Sequence, residues 1–183
     1  MTRPTFTLVV VTSADGFIAR HSGDNPAGWA SAEEQALFLD RVAAADWAVM
    51  GRLTHQAADR PDRRRVVFSG RGGGWRRPGQ LWLDPAGLDP DALAARVAKV
   101  HPMRDALILG GTRVHDWFLA HGRIDAVSLT VEPVRFGAGL PIFSGQQERD
   151  PVEAFLARGF RVAAARRLNM AGTRLVELVP ART

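Results

Sequence analysis

The chain has 183 residues, 46% of them apolar, which is enough for one domain with a real core and too apolar for a disordered segment. It contains no cysteine, which excludes a disulfide framework, a zinc–thiolate site and a cysteine nucleophile and suits a reducing compartment. The net charge of +5 and the pI near 11.2 overstate how basic the surface is: tyrosine is absent too, so little titrates between histidine and arginine and a small excess sets a very high pI.

In chain order, FTLVVVT (6–12) reads as a buried strand and SADG (13–16) as the turn after it. No stretch approaches the ~20 apolar residues of a bilayer span, and FTLVVV is too short for a signal-peptide core. The expectation is a cytoplasmic protein without a membrane segment. SAEEQALFLDRVAAA (31–45) reads as an amphipathic helix, apolar at Ala36, Leu37, Leu39, Val42 and Ala43. WAVM (47–50) is a short strand, LTHQA (53–57) a short helix and RVVFS (65–69) a strand. GRGGGWRRPG (70–79) reads as a loop by its glycine and proline content. QLWLD (80–84) is a strand, and DPDALAARVAKV (89–100) a helix capped by Asp89 with Pro90 in its first turn. DALILG (105–110) is a strand and TRVHDWFLAHG (112–122) a helix closed by Gly122. IDAVSLTVEPV (124–134) is a long strand. FRVAAARRLN (160–169) and TRLVELV (173–179), around MAG, form a closing hairpin. This alternation predicts one α/β domain over residues 1–183. Its central sheet is mostly parallel, with helices on both faces and an antiparallel C-terminal hairpin.

Three strand ends carry residues suited to anions. LILGG stops at bare backbone before Thr112 opens a helix, and helix starts offer unpaired N–H groups and a positive dipole end. The same join without a ligand is a tight turn. MGRLT repeats the design at Gly51, Arg52 and Thr54, and FSGRGG places Ser69 and Arg71 after a strand. In open α/β sheets ligands sit at the carboxyl ends of strands, so three such joins point to a ligand with several phosphates, such as a dinucleotide. The GxGxxG fingerprint is absent. Ser31 to Glu34 has the S-x-x-E spacing of a capping box, which explains Glu34 as helix-start chemistry. Asp15 suits its turn, and Trp29 serves a pocket wall or the core. His55, His115 and His121 show no metal-like clustering and read as surface or helix residues, so no metal site is expected.

SADGFIA, GWASAEEQALF, ADWAVMGRLTH, LILGGTRVHDWFL and IDAVSLTVEPVRFGAGLPIF follow one another in that order. Together they resemble the dihydrofolate reductase-like superfamily, and the last points to its RibD C-terminal (riboflavin biosynthesis reductase) branch. The resemblance covers about residues 6–143. It implies an NADPH-dependent reductase and a homodimer. It implies that Gly110, Gly111, Thr112, Arg113 and Val114 hold the pyrophosphate, and that Gly51, Arg52 and Thr54 face the adenosine half. Arg52 and Ser69, with Arg71, would hold the 2′-phosphate, and backbone groups of Val11 and Ile18 would meet the nicotinamide amide. It also implies a substrate-binding, proton-handling carboxylate at Glu34, with Asp15 and Trp29 on the substrate side.

The chain departs from that branch on the substrate side. It reads HQAADRPDRRR where the ribosyl-pyrimidine reductases carry a DDPxLTVR-like segment. It has neither the cysteines nor the length for an added zinc deaminase domain. The expected activity is reduction of a small heterocyclic or carbonyl substrate. 5-Amino-6-(5-phosphoribosylamino)uracil is the first possibility and dihydrofolate, a pterin, the second. From other classes, a non-catalytic nucleotide-binding relative fits the substrate-side losses, and RPDRRR with GRGGGWRR is the stretch a nucleic-acid-binding module would use. Asp59 and Asp62 dilute that basic run, so nucleic acid ranks low.

Overall fold

In a computed structural model, which describes residues 3–181, eleven strands and five α-helices follow one another along the chain. They are β1 (Thr5–Ser13), β2 (Phe17–Ala19), α1 (Ala32–Ala44), β3 (Trp47–Gly51), α2 (Arg52–Ala57), β4 (Arg65–Phe68), β5 (Gly74–Arg77), β6 (Gln80–Leu83), α3 (Pro90–Val97), β7 (Asp105–Ile108), α4 (Thr112–Ala120), β8 (Ala126–Glu132), β9 (Leu140–Pro141), α5 (Pro151–Leu156), β10 (Phe160–Arg167) and β11 (Arg174–Pro180). Nine strands make one sheet in the order β10-β11-β8-β1-β7-β3-β4-β6-β5. The six strands from β8 to β6 run parallel, while β11 and β5 pair antiparallel at the two flanks. The closing hairpin is β10 with β11.

Side chains alternate across each strand, and that period of two divides the sheet into unlike faces. Phe6, Leu8 and Val10 of β1, Trp47 and Val49 of β3, Val66 and Phe68 of β4, and Ala106 and Ile108 of β7 all enter one apolar core. Leu93 and Val97 of α3, Val114 and Phe118 of α4 and Phe155 of α5 close it. The Phe118 ring lies 4.9 Å from Phe6 and is stacked against Phe68 at 6.4 Å. The intervening positions face α1 and α2. The Asp89 carboxylate caps α3 by accepting from Ala92 N at 2.8 Å, with Pro90 at the first turn as the spacing predicts.

Four features differ from the sequence reading. The stretch 70–79 is not all loop: β5 forms within it, because β6 offers a free edge for its backbone to pair with. The helix α5 and the small β2–β9 sheet carry no strong local pattern, and β9 is only two residues long. The apolar stripe of α1 does not seal a core: Leu39 is 51% exposed, and the buried residue of the helix is Glu34. His55 and His115, read as surface or helix residues, do lie on α2 and α4 but are buried, at 5% and 1% exposure. Among the described residues no helix is long and apolar enough to cross a membrane.

Candidate functional site

The second sheet face is not closed. Between α1, α2 and the carboxyl ends of β1, β7, β3 and β4 lies a cleft of ≈ 1780 Å³. Small-ligand pockets run to roughly 300–1,000 Å³, so this one has room for a cofactor and a second molecule. Val11, Ile18, Gly51, Arg52, Thr54, Ser69, Arg71, Gly110, Gly111, Thr112, Arg113 and Val114, expected from the sequence to contact a cofactor, all line it, and so does Glu34. Asp15 and Trp29 do not line it.

The three phosphate-suited joins are neighbours because their strands are. The strands β7, β3 and β4 are adjacent in the sheet. Gly51 N donates to Gly110 O at 2.8 Å, which ties the first two joins together. Gly111 and Gly51 are the N-caps of α4 and α2, and neither helix start is capped by a side chain. Their first N–H groups thus keep their capacity for an acceptor from outside. A Cβ built on Gly111 would touch nothing within 4 Å, so the backbone there is open to close approach. Gly110 has φ +93 and leads into Gly111 through a cis peptide bond. A Cβ on Gly110 would meet His115 Nε2 at 3.1 Å. The start of α4 is clamped from below: Thr112 Oγ1 donates to Pro141 O at 2.6 Å, and His115 Nδ1 lies 2.8 Å from Ile142 O. That bond sets the imidazole tautomer, and burial pushes its pKa down to about 4. His115 is a part of this cradle that the sequence reading missed. Nothing local signalled it, because its partner lies 27 residues away.

Glu34 resolves into half a capping box. Ser31 Oγ accepts from Glu34 N at 3.3 Å, as the spacing predicts. The return bond is made by another residue: Ser31 N donates to Glu132 Oε1 at 2.8 Å, from the end of β8. The Glu34 carboxyl is therefore released from capping and faces the cleft, with Gln35 Nε2 donating to it at 2.9 Å. Burial, and after it the charge of Glu132, push Glu34 up to about 7, against the pull of the Gln35 bond. A carboxyl near neutrality inside a cleft can both hold and release a proton there.

The other two substrate-side residues are placed elsewhere. Asp15 accepts from Phe136 N at 3.1 Å and Gly137 N at 2.8 Å, pinning the loop before β9. Burial works to raise its pKa, but the Ser13 hydroxyl and those two amides outweigh it and hold the carboxyl below its ordinary value. Trp29 packs edge-on against Phe136 at 5.0 Å, and its buried Nε1 has no partner.

Structural relatives share this architecture. A putative riboflavin biosynthesis protein from Shewanella sp. PV-4 superposes with a TM-score of 0.69 at 18% identity, over 97% of this chain and 99% of that one. Acinetobacter baumannii RibD gives 0.73 at 20% identity, over 98% of this chain and 58% of its own. The chain thus spans little more than half of that protein. Dihydrofolate reductase from Enterococcus faecalis, complexed with NADP(H) and RAB-propyl, gives 0.66 at 14% identity over 97% of both chains. No curated protein matches the chain. The family model described as the RibD C-terminal domain matches residues 4–162, and the chain belongs to that family.

Proposed function

We propose that this chain is a reductase domain that uses NADPH to reduce a small heterocyclic or carbonyl substrate in the cytoplasm. 5-Amino-6-(5-phosphoribosylamino)uracil, or a close relative, is the first substrate to test and dihydrofolate the second. One observation carries the reading: residues from five separate elements, expected on sequence grounds to hold a dinucleotide, line a single cleft together with a buried acid. The residues fit that group. The uncapped start of α4 would take the pyrophosphate, Gly51, Arg52 and Thr54 would face the adenosine half, and Arg52 and Ser69, with Arg71, would hold a 2′-phosphate. The cofactor supplies a hydride when bound. Glu34 holds the proton that the reduced product needs, and α1 keeps that acid out of bulk water. Asp15 serves as the anchor of the 136–137 loop, and Trp29 as a wall outside the cofactor cleft.

The basic run speaks against a nucleic-acid surface. Arg65 is buried, Arg77 is engaged by Asp59 at 2.6 Å, Arg64 Nε donates to Asp46 O at 2.7 Å, and Arg76 lies over the Trp82 ring at 3.7 Å. A homodimer would use the edge strand β10, whose residues beyond Phe160 are exposed along its whole length. Sedimentation of the purified chain would show it.

The test is a titration of the protein with NADPH and with NADH, followed by energy transfer from its tryptophans. Saturable binding that prefers NADPH supports the reading and justifies screening the two substrates for NADPH oxidation. Failure to bind either nucleotide overturns it. Binding without turnover on either substrate class would favour a non-catalytic nucleotide-binding relative.

A further inference from the structure

Glu132, at the carboxyl end of β8, is as deeply buried as Glu34, 3% exposed against 4%. It belongs to none of the cofactor joins. Every group that touches its carboxyl donates. Ser31 N and the Ser31 hydroxyl reach Oε1 at 2.8 and 2.7 Å, and the Thr173 hydroxyl reaches Oε2 at 2.6 Å. Thr173 is itself set in place, because Asn169 Nδ2 donates to its oxygen at 3.0 Å. The three donors fill three of the roughly four acceptor positions of the carboxylate and fix both of its oxygens.

Glu34 has the opposite surroundings. It receives one donor, from Gln35, and among the described residues no cation forms an ion pair with it. Glu33, beside it on α1, turns away and accepts from Asn169 Nδ2 at 3.1 Å. Arg41, further along the helix, is engaged by Glu177 at 3.1 Å. Ser31 ties the Glu132 carboxyl to the backbone that carries Glu34, since Ser31 Oγ donates to Glu132 Oε1 and accepts from the backbone N–H of Glu34, one helical turn on. Two buried like charges sharing a site do not both ionise easily, and the one with fewer donors takes the proton.

We propose that Glu132 is a positioning residue for Glu34: a carboxylate clamped by Ser31 and Thr173 that anchors the start of α1 and favours the protonated form of Glu34. The direction in which burial and Glu132 together move Glu34, up to about 7, agrees with that placement. The catalytic meaning of the pair rests on the reductase reading, but the residence of the proton does not.

The test needs no ligand. Carboxyl infrared spectra of the full chain near pH 6 are compared with those of Glu34→Gln, and the Glu34 carboxyl is titrated by carbon-13 NMR. Loss of a protonated-carboxyl band in Glu34→Gln places the proton as proposed, and a band that persists there overturns the proposal. In folded Glu132→Gln the Glu34 midpoint should fall by about one pH unit or more, since a neighbouring charge has been removed. Glu132→Asp keeps the charge and should keep most of the elevated midpoint. An unchanged midpoint in folded Glu132→Gln overturns the proposal, and the infrared comparison stands even if that variant does not fold. Once a substrate is in hand, Glu132→Gln should move the alkaline limb of kcat to lower pH and leave the KM for NADPH unchanged. A merely structural anchor would move neither limb. Failure to bind NADPH would overturn the reductase reading and leave the titration result intact.

Discussion

The two faces of the central sheet are made by the same strands and do different work. On one, Phe6, Leu8, Val49, Val66 and Ile108 pack into one apolar core with residues of α3, α4 and α5. On the other, the alternate residues include buried Ser128, Thr130, Glu132 and Arg65, under helices that stand apart to leave the cleft. A packed apolar face gains from burial directly, whereas buried polar groups are held only where hydrogen bonds replace water. The molecule thus separates what holds it together from what it offers to ligands, and on β8 the separation is one residue wide, with Val127, Leu129 and Val131 in the core and Ser128, Thr130 and Glu132 alternating with them.

The contrast is easiest to break through the core. Phe118→Ala, at a ring 0% exposed, should lower stability by about 3–5 kcal/mol in denaturant unfolding while leaving nucleotide affinity of the folded fraction intact. A loss below ~1 kcal/mol would mean that the core face is not what secures the fold. Next comes pH. The pKa of Glu34 is raised from 4.5 to about 7 in the folded chain, so that chain binds more protons than the unfolded one between those values. Stability should fall as pH rises through that window, by on the order of 3 kcal/mol. Glu34→Gln should remove this slope and be the more stable form at pH 8, and parallel pH–stability curves for the two proteins would refute it. Smaller again is Arg52→Ala, which should weaken NADPH binding about 10- to 100-fold, the worth of ~1.5–3 kcal/mol for a hydrogen bond to a charged group. NADH affinity and the melting temperature should stay unchanged, and an equal loss for both nucleotides would remove Arg52 from the 2′-phosphate. Met170→Ser, at a side chain 90% exposed on the β10–β11 turn, should change stability by less than about 0.5 kcal/mol.

Most of this architecture is legible along the chain because it follows from short-range rules. The caps at Ser31 and Asp89, the glycine joins before α2 and α4, and the alternation of strand with helix all act within a few residues. What escapes such rules is weak or borrowed pairing. β5 takes its order from β6, and the two residues of β9 take theirs from β2. The position of α1 escapes them too. Its stripe reads as a core helix, yet it covers a cleft, since periodicity tells which residues share a side and not whether that side is filled.

Periodicity, capping spacing and glycine placement, all local, determined the larger elements and their order, apart from β2, β5, β9 and α5, and the three anion-suited strand ends. Which carboxylate answers Ser31 was decided only by the fold, because Glu132 lies 101 residues away and reaches it through the register of β8 on β1. The same holds for His115 beneath the Gly110 turn and for Asp15 on the 136–137 loop. Partnership between distant polar groups depends on how strands stack, and no neighbouring residue records that.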